Sequence, residues 1–104
     1  MHPKHGEIWL ADLGLAAKIR PVVIVSRDDE NLPRQLYVYV PLSTQNRHSS
    51  YEIELSGYST LRAETVANVQ GIGSLPAPRF IRQVGRLKSE DVLRISEALR
   101  FLMP

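Results

Sequence analysis

The chain has 104 residues, enough for one domain, and a chain of this size buries roughly 60–70 % of its unfolded surface, which gives a small core. Its 13 Lys plus Arg stand against 11 Asp plus Glu, a formal charge of +2, too small an excess to imply a nucleic-acid partner by itself. Cysteine is absent, which excludes a disulfide scaffold, a thiolate metal site and a Cys nucleophile and fits a reducing compartment.

The longest strictly apolar run is Val22 to Val25, far short of the ~20 residues that span a bilayer. Met1 to Trp9 holds no apolar signal core, so the expectation is a cytoplasmic globule without a membrane anchor. In chain order, Glu7 to Asp12 reads as a first strand. Val22 to Val25 is a β-branched block suited to a central strand buried on both faces. Leu36 to Val40 alternates aliphatic residues with Tyr, giving one aliphatic and one Tyr face. Tyr51 to Leu55 alternates so that Tyr51, Ile53 and Leu55 face inward and the two Glu outward. Thr65 to Gln70 is a further short strand, and a helical turn is expected around Thr60 to Glu64. One long helix follows, with Ser89 as its N-cap, Glu90 and Asp91 in the first turn, and a stripe of Val92, Ile95, Leu99 and Leu102. Five or more short strands and a C-terminal helix predict a mainly β (α+β) fold: a single domain over 1–104, a small, partly open antiparallel barrel with the helix packed on it.

Three groups carry candidate chemistry. Pro21 biases Arg20 toward an extended backbone on the rim of the sheet, where a guanidinium grips phosphate through two parallel hydrogen bonds; the competing reading is an Arg at a strand start, paired with an acidic neighbour. The segment from Pro41 to Ser50 runs from a strand end into hydroxyl, amide and basic groups, including Ser43, Thr44, Gln45, Arg47 and His48. These suit phosphate or base edges, and equally a plain polar turn. Between Arg62 and Lys88 five basic residues (Arg62, Arg79, Arg82, Arg86, Lys88) face one acid, Glu64, a local +4. That stretch reads as a nucleic-acid track, a face for an acidic peptide, or a solvated edge. His2 and His5 lack a third ligand at a useful interval. Gly71-Ile72-Gly73 is not followed by the Gly-Lys-Ser/Thr of a phosphate loop, and no acid cluster suits two-metal chemistry. No metal or cofactor is therefore expected.

Four motifs in order resemble the MazF/PemK family of bacterial toxins. Gly6-Glu7-Ile8-Trp9-Leu10-Ala11-Asp12-Leu13 is similar to its opening strand, and Arg20-Pro21-Val22-Val23-Ile24-Val25-Ser26 to its second. Val40-Pro41-Leu42-Ser43-Thr44 is similar to its Val-Pro-x-Ser/Thr-Thr strand end, and Val84-Gly85-Arg86-Leu87 leads into a terminal helix as in the family. The resemblance implies an SH3-like barrel, a homodimer, neutralisation by a cognate antitoxin, and metal-independent cleavage of single-stranded RNA (mRNA) at short sequences, leaving 2′,3′-cyclic phosphate and 5′-hydroxyl ends. It puts the catalytic Arg at Arg20 and the catalytic hydroxyl at Thr44, with Ser43 beside it. Lys18, Gln45, Arg47 and His48 become candidate RNA contacts. Tyr37 and Tyr39 are candidates for base stacking or for packing. The acidic residue that some members carry is absent from Gly14-Leu15-Ala16-Ala17-Lys18, and His48 is the candidate substitute base. The alternative is a non-catalytic RNA- or protein-binding barrel, including a CcdB-like gyrase poison. That branch uses a C-terminal Trp-Gly-Ile stretch, whereas this chain ends Phe101-Leu102-Met103-Pro104 with its one Trp at position 9.

Overall fold

The computed structural model describes residues 2–14 and 19–104. Seven strands precede one helix: β1 (Glu7–Asp12), β2 (Ile19–Ile24), β3 (Leu36–Ser43), β4 (Glu52–Glu54), β5 (Val66–Asn68), β6 (Gly73–Pro76), β7 (Phe80–Arg86) and α1 (Ser89–Leu102). The strands pair in the order β4-β5-β3-β2-β1-β7, with β6 also on β3, and every pairing is antiparallel. The long strand β3 carries the change of direction. Its first half pairs with β6, from Leu36 opposite Pro76 to Tyr39 opposite Gly73, and its end pairs with β5 through Leu42 and Ser43. The result is the partly open antiparallel barrel with one C-terminal helix that the strand pattern predicts.

The central strands are buried on both faces because their side chains alternate between two apolar layers. Ile8, Val23, Val40 and Leu42 join Leu55, Ala67, Val69 and Leu87 in the layer that Ile95 and Ala98 of α1 cover. Trp9, Val22, Ile24, Tyr37 and Phe80 form the second layer, where Phe80 meets Trp9 and Tyr37 edge to face with ring centroids 6.4 and 5.9 Å apart. Tyr37 is therefore a packing residue, and Tyr39 packs against the same layer. Val92, Leu99 and Leu102 complete the helix stripe. No helix among the described residues is long and apolar enough to cross a membrane.

Several boundaries differ from expectation. β2 starts earlier, at Ile19, and stops before Val25; β3 continues to Ser43. β4 and β5 are three residues each, and a 3₁₀ turn at Val69–Gly71 ends the latter. Residues 60–64 form turns rather than a helix. Ser89 is the first helical residue, not the cap: Lys88 occupies the cap position without a side-chain hydrogen bond, and its carbonyl accepts from Asp91 and Val92. β6 and β7 lie where no strand was predicted. β7 is mostly exposed, and its pairing with β1 skips a residue twice, opposite Ile8/Trp9 and Leu10/Ala11. Such bulges break the alternation by which a strand is recognised.

Candidate functional site

The β2–β3 ladder runs from Ile24 opposite Tyr39 to Val22 opposite Pro41 and stops there. Pro21 and Pro41 contribute no N–H to extend it. By the same register Arg20 would face Ser43, but β3 at that point pairs with β5 instead, Ser43 opposite Val66. Where β2 and β3 part, a groove of about 1190 Å³ opens. Arg20 and Pro21 line it from β2, and Pro41, Leu42, Ser43, Thr44 and Gln45 from β3 and its continuation. A third wall comes from the β4–β5 loop through Thr60, Leu61, Arg62 and Thr65, and a fourth from Arg82, Gln83 and Val84 of β7. Leu42 and Thr65 are buried, so the floor of the groove is fixed by the core.

The basic residues sort into two kinds. Arg79 lies 3.6 Å from Asp12, Arg86 3.1 Å from Glu7 and Arg94 2.8 Å from Asp91, so these guanidiniums are spent on the fold. Arg20, Arg62 and Arg82 line the groove, and none has an ion-pair partner among the described residues. The competing reading of Arg20, a strand-start Arg paired with an acid, finds no such partner there. Nor does any carboxylate line the groove among the described residues. Three unneutralised guanidiniums, several hydroxyls and two amides around a fixed floor suit an extended polyanion.

The predicted site residues divide accordingly. Arg20, Ser43, Thr44 and Gln45 share the groove. The Ser43 hydroxyl accepts from the Gln45 amide at 3.0 Å and turns the chain after β3. Thr44 is exposed and makes no side-chain hydrogen bond among the described residues. Arg47 and His48 are not part of the groove lining; they belong to a loop held by acids of β4. The Glu52 carboxylate accepts from the Arg47 and Ser49 amides and from the Ser49 hydroxyl, and the Ser49 hydroxyl bond leads in holding its pKa below the usual range. The His48 ring lies 3.5 Å from Glu54, with the backbone at φ 57. Lys18 lies outside the described residues. Sequence reasoning missed Arg62, Arg82, Thr60 and Gln83 as groove residues. The local +4 contained the two arginines without separating them from Arg79 and Arg86.

Residues 4–103 match the family described as the PemK-like, MazF-like toxin of type II toxin–antitoxin systems, and the chain belongs to that family. Endoribonuclease MazF9 of Mycobacterium tuberculosis (strain ATCC 25618 / H37Rv) is 29% identical over 109 residues, covering 93% of this chain and 92% of that protein. Among solved structures, an endoribonuclease in complex with its cognate antitoxin from Mycobacterial species superposes with a TM-score of 0.82 at 24% identity, over 98% of this chain and 97% of that one. MazF of Deinococcus radiodurans (Form-I) superposes with a TM-score of 0.84 at 16% identity, over 99% and 97%. These two likenesses establish the fold.

Proposed function

We propose that this toxin is a metal-independent endoribonuclease that cuts single-stranded RNA in the groove between β2 and β3. The observation that carries the reading is the meeting of Arg20, Ser43 and Thr44 on one groove free of carboxylates among its described lining residues. In the reaction the substrate supplies its own nucleophile. The ribose 2′-oxygen loses its proton and bonds to the adjacent phosphorus, the bond from phosphorus to the 5′-oxygen breaks, and that oxygen gains a proton. The products are a 2′,3′-cyclic phosphate and a 5′-hydroxyl. Negative charge builds on the non-bridging oxygens, where a fixed guanidinium and a hydroxyl donor lower the barrier most. Arg20 fills the first role, as an electrostatic stabiliser. Thr44, whose hydroxyl makes no hydrogen bond among the described residues, orients the phosphate, and Gln45 lies within the same wall. The protein acts as a homodimer in the cytoplasm, and a cognate antitoxin with an acidic segment that orders on binding covers the groove.

Incubating the protein with a long single-stranded RNA in EDTA and mapping the new ends tests this. Defined cuts bearing 5′-hydroxyls are expected. Arg20→Ala should lower the rate about 10²–10³-fold, as loss of a transition-state donor does. Thr44→Ala should lower it about tenfold, because a neutral donor is roughly half as strong as a charged one. Cleavage only with added Mg²⁺ would refute the metal-independent step, and binding without cutting would point to the non-catalytic barrel.

A further inference from the structure

The β4–β5 loop, which supplies one groove wall, and the end of β4 that leads into it are fastened at four points to α1 and to Lys88, the residue that precedes it. The Arg94 guanidinium donates to the Glu54 carbonyl at 3.0 Å, and the Lys88 ammonium to the Ser56 carbonyl at 3.4 Å. The Tyr58 hydroxyl donates to Asp91 at 2.5 Å and accepts from the Lys88 amide at 2.9 Å. Asp91 is buried, and its other oxygen accepts from Arg94 at 2.8 Å. Burial first, then the bond to Asp91, pushes the Tyr58 hydroxyl up to about 12, so it keeps its proton at neutral pH. The loop is also closed on itself: Leu55 donates to Thr65, Leu61 to Tyr58 and Thr65 to Arg62, all backbone bonds of 3.0–3.2 Å. Tyr58 and Leu61 pack against the main core. Arg62 follows directly after Leu61, on the groove, with no ion-pair partner among the described residues.

The tethers hold the eleven-residue connection and the strand end before it, and Tyr58 lies four residues before Arg62, a groove cation with no ion-pair partner among the described residues. An arginine on a free loop loses loop and side-chain freedom when it binds; one on a loop already ordered loses side-chain freedom alone. We propose that Arg62 binds a phosphate of the RNA beside the cut, and that Tyr58, clamped by Asp91, is the positioning residue that holds it there. This rests on the endoribonuclease reading above.

The test measures binding of the full chain to a mixed-sequence, 2′-O-methylated single-stranded RNA, which lacks the attacking hydroxyl, across a series of salt concentrations. Arg62→Ala should weaken binding about tenfold at low salt and flatten the plot of log K against log salt by about 0.7, the contribution of one phosphate contact on a single strand. Arg62→Lys should restore the slope but not the full affinity, since it keeps the charge and loses the fork. Tyr58→Phe, assayed well below its own Tm, should cause a smaller loss and add nothing in the Arg62→Ala background. Asp91→Asn asks the same question without altering the loop, should the first variant not fold. A slope and affinity unchanged in Arg62→Ala would overturn the phosphate role. A Tyr58→Phe loss that adds in full to Arg62→Ala would overturn the positioning role, because a residue acting only through general stability has no reason to couple to Arg62. If the natural chain binds and cuts RNA while Arg62→Ala behaves identically, this proposal alone falls; if the natural chain binds no RNA, the endoribonuclease reading falls with it.

Discussion

Glu7 is a buried carboxylate at the start of β1. One oxygen accepts from the Trp9 indole N–H at 2.8 Å and from the Lys4 amide at 2.9 Å; the other accepts from Arg86 at 3.1 Å. The acid-x-Trp spacing is thus structural: two residues along a strand return the side chain to the same face, where the carboxylate satisfies a buried indole. Glu7→Ala should cost about 2–4 kcal/mol, because it leaves a buried N–H without a partner. Glu7→Gln keeps one acceptor and should cost about 1 kcal/mol. Chemical denaturation of both variants checks the order, and equal costs would refute the indole argument. Arg20, Ser43 and Thr44 were legible in the sequence because each sits at a strand end beside or near a proline, where local chemistry sets its position. Arg62 and Arg82 were not, since only the closing of the barrel brings a loop and β7 to the same groove. The fate of Arg79 and Arg86 was hidden for the same reason: their partners, Asp12 and Glu7, lie more than sixty residues away in sequence.

At the scale of elements, β3 and α1 were readable from periodicity, and β1 and β2 from short continuous apolar runs, because a strand between two apolar layers is apolar on both faces. β6 and β7 were not. Three of the four residues of Gly73 to Pro76, Gly73, Ser74 and Pro76, are turn-type residues, and the segment forms a strand because β3 offers a free edge and Leu75 packs on the second apolar layer. Its approach to β3 depends on the glycines that sequence reading had set aside as an unconvincing phosphate loop. A Cβ on Gly71 would lie 2.7 Å from the Pro41 ring, and one on Gly73 2.7 Å from the Tyr39 hydroxyl. The proline ring cannot swing away as a flexible side chain would. Gly71→Ala should therefore destabilise the protein by about 1–3 kcal/mol, the usual cost of overpacking. It should also lower RNA cleavage, because Pro41 lines the groove. Thermal unfolding and the cleavage assay, run together, check both effects; an unchanged Tm would mean that β3 and the 3₁₀ turn separate freely.

For the whole molecule, the composition led to the right size and class, since a cysteine-free chain of 104 residues with several short strands and one helix has few ways to bury its apolar residues. Net charge was the poorest guide. The formal +2 averages over arginines that hold the fold and arginines that face the groove. Association with RNA responds to the second kind, because only a cation free of its own carboxylate displaces counterions from phosphate. Among the described residues three such groups line the groove, Arg20, Arg62 and Arg82. At about 0.7 per contact on a single strand, log K for RNA should fall with log salt at a slope of about −2 per bound protomer. Arg79→Gln should leave that slope unchanged, since Arg79 already serves Asp12. A slope several times steeper, or one that drops in Arg79→Gln, would mean that RNA follows the continuous basic stretch of the sequence. The slope thus separates a track set by chain order from a groove set by folding.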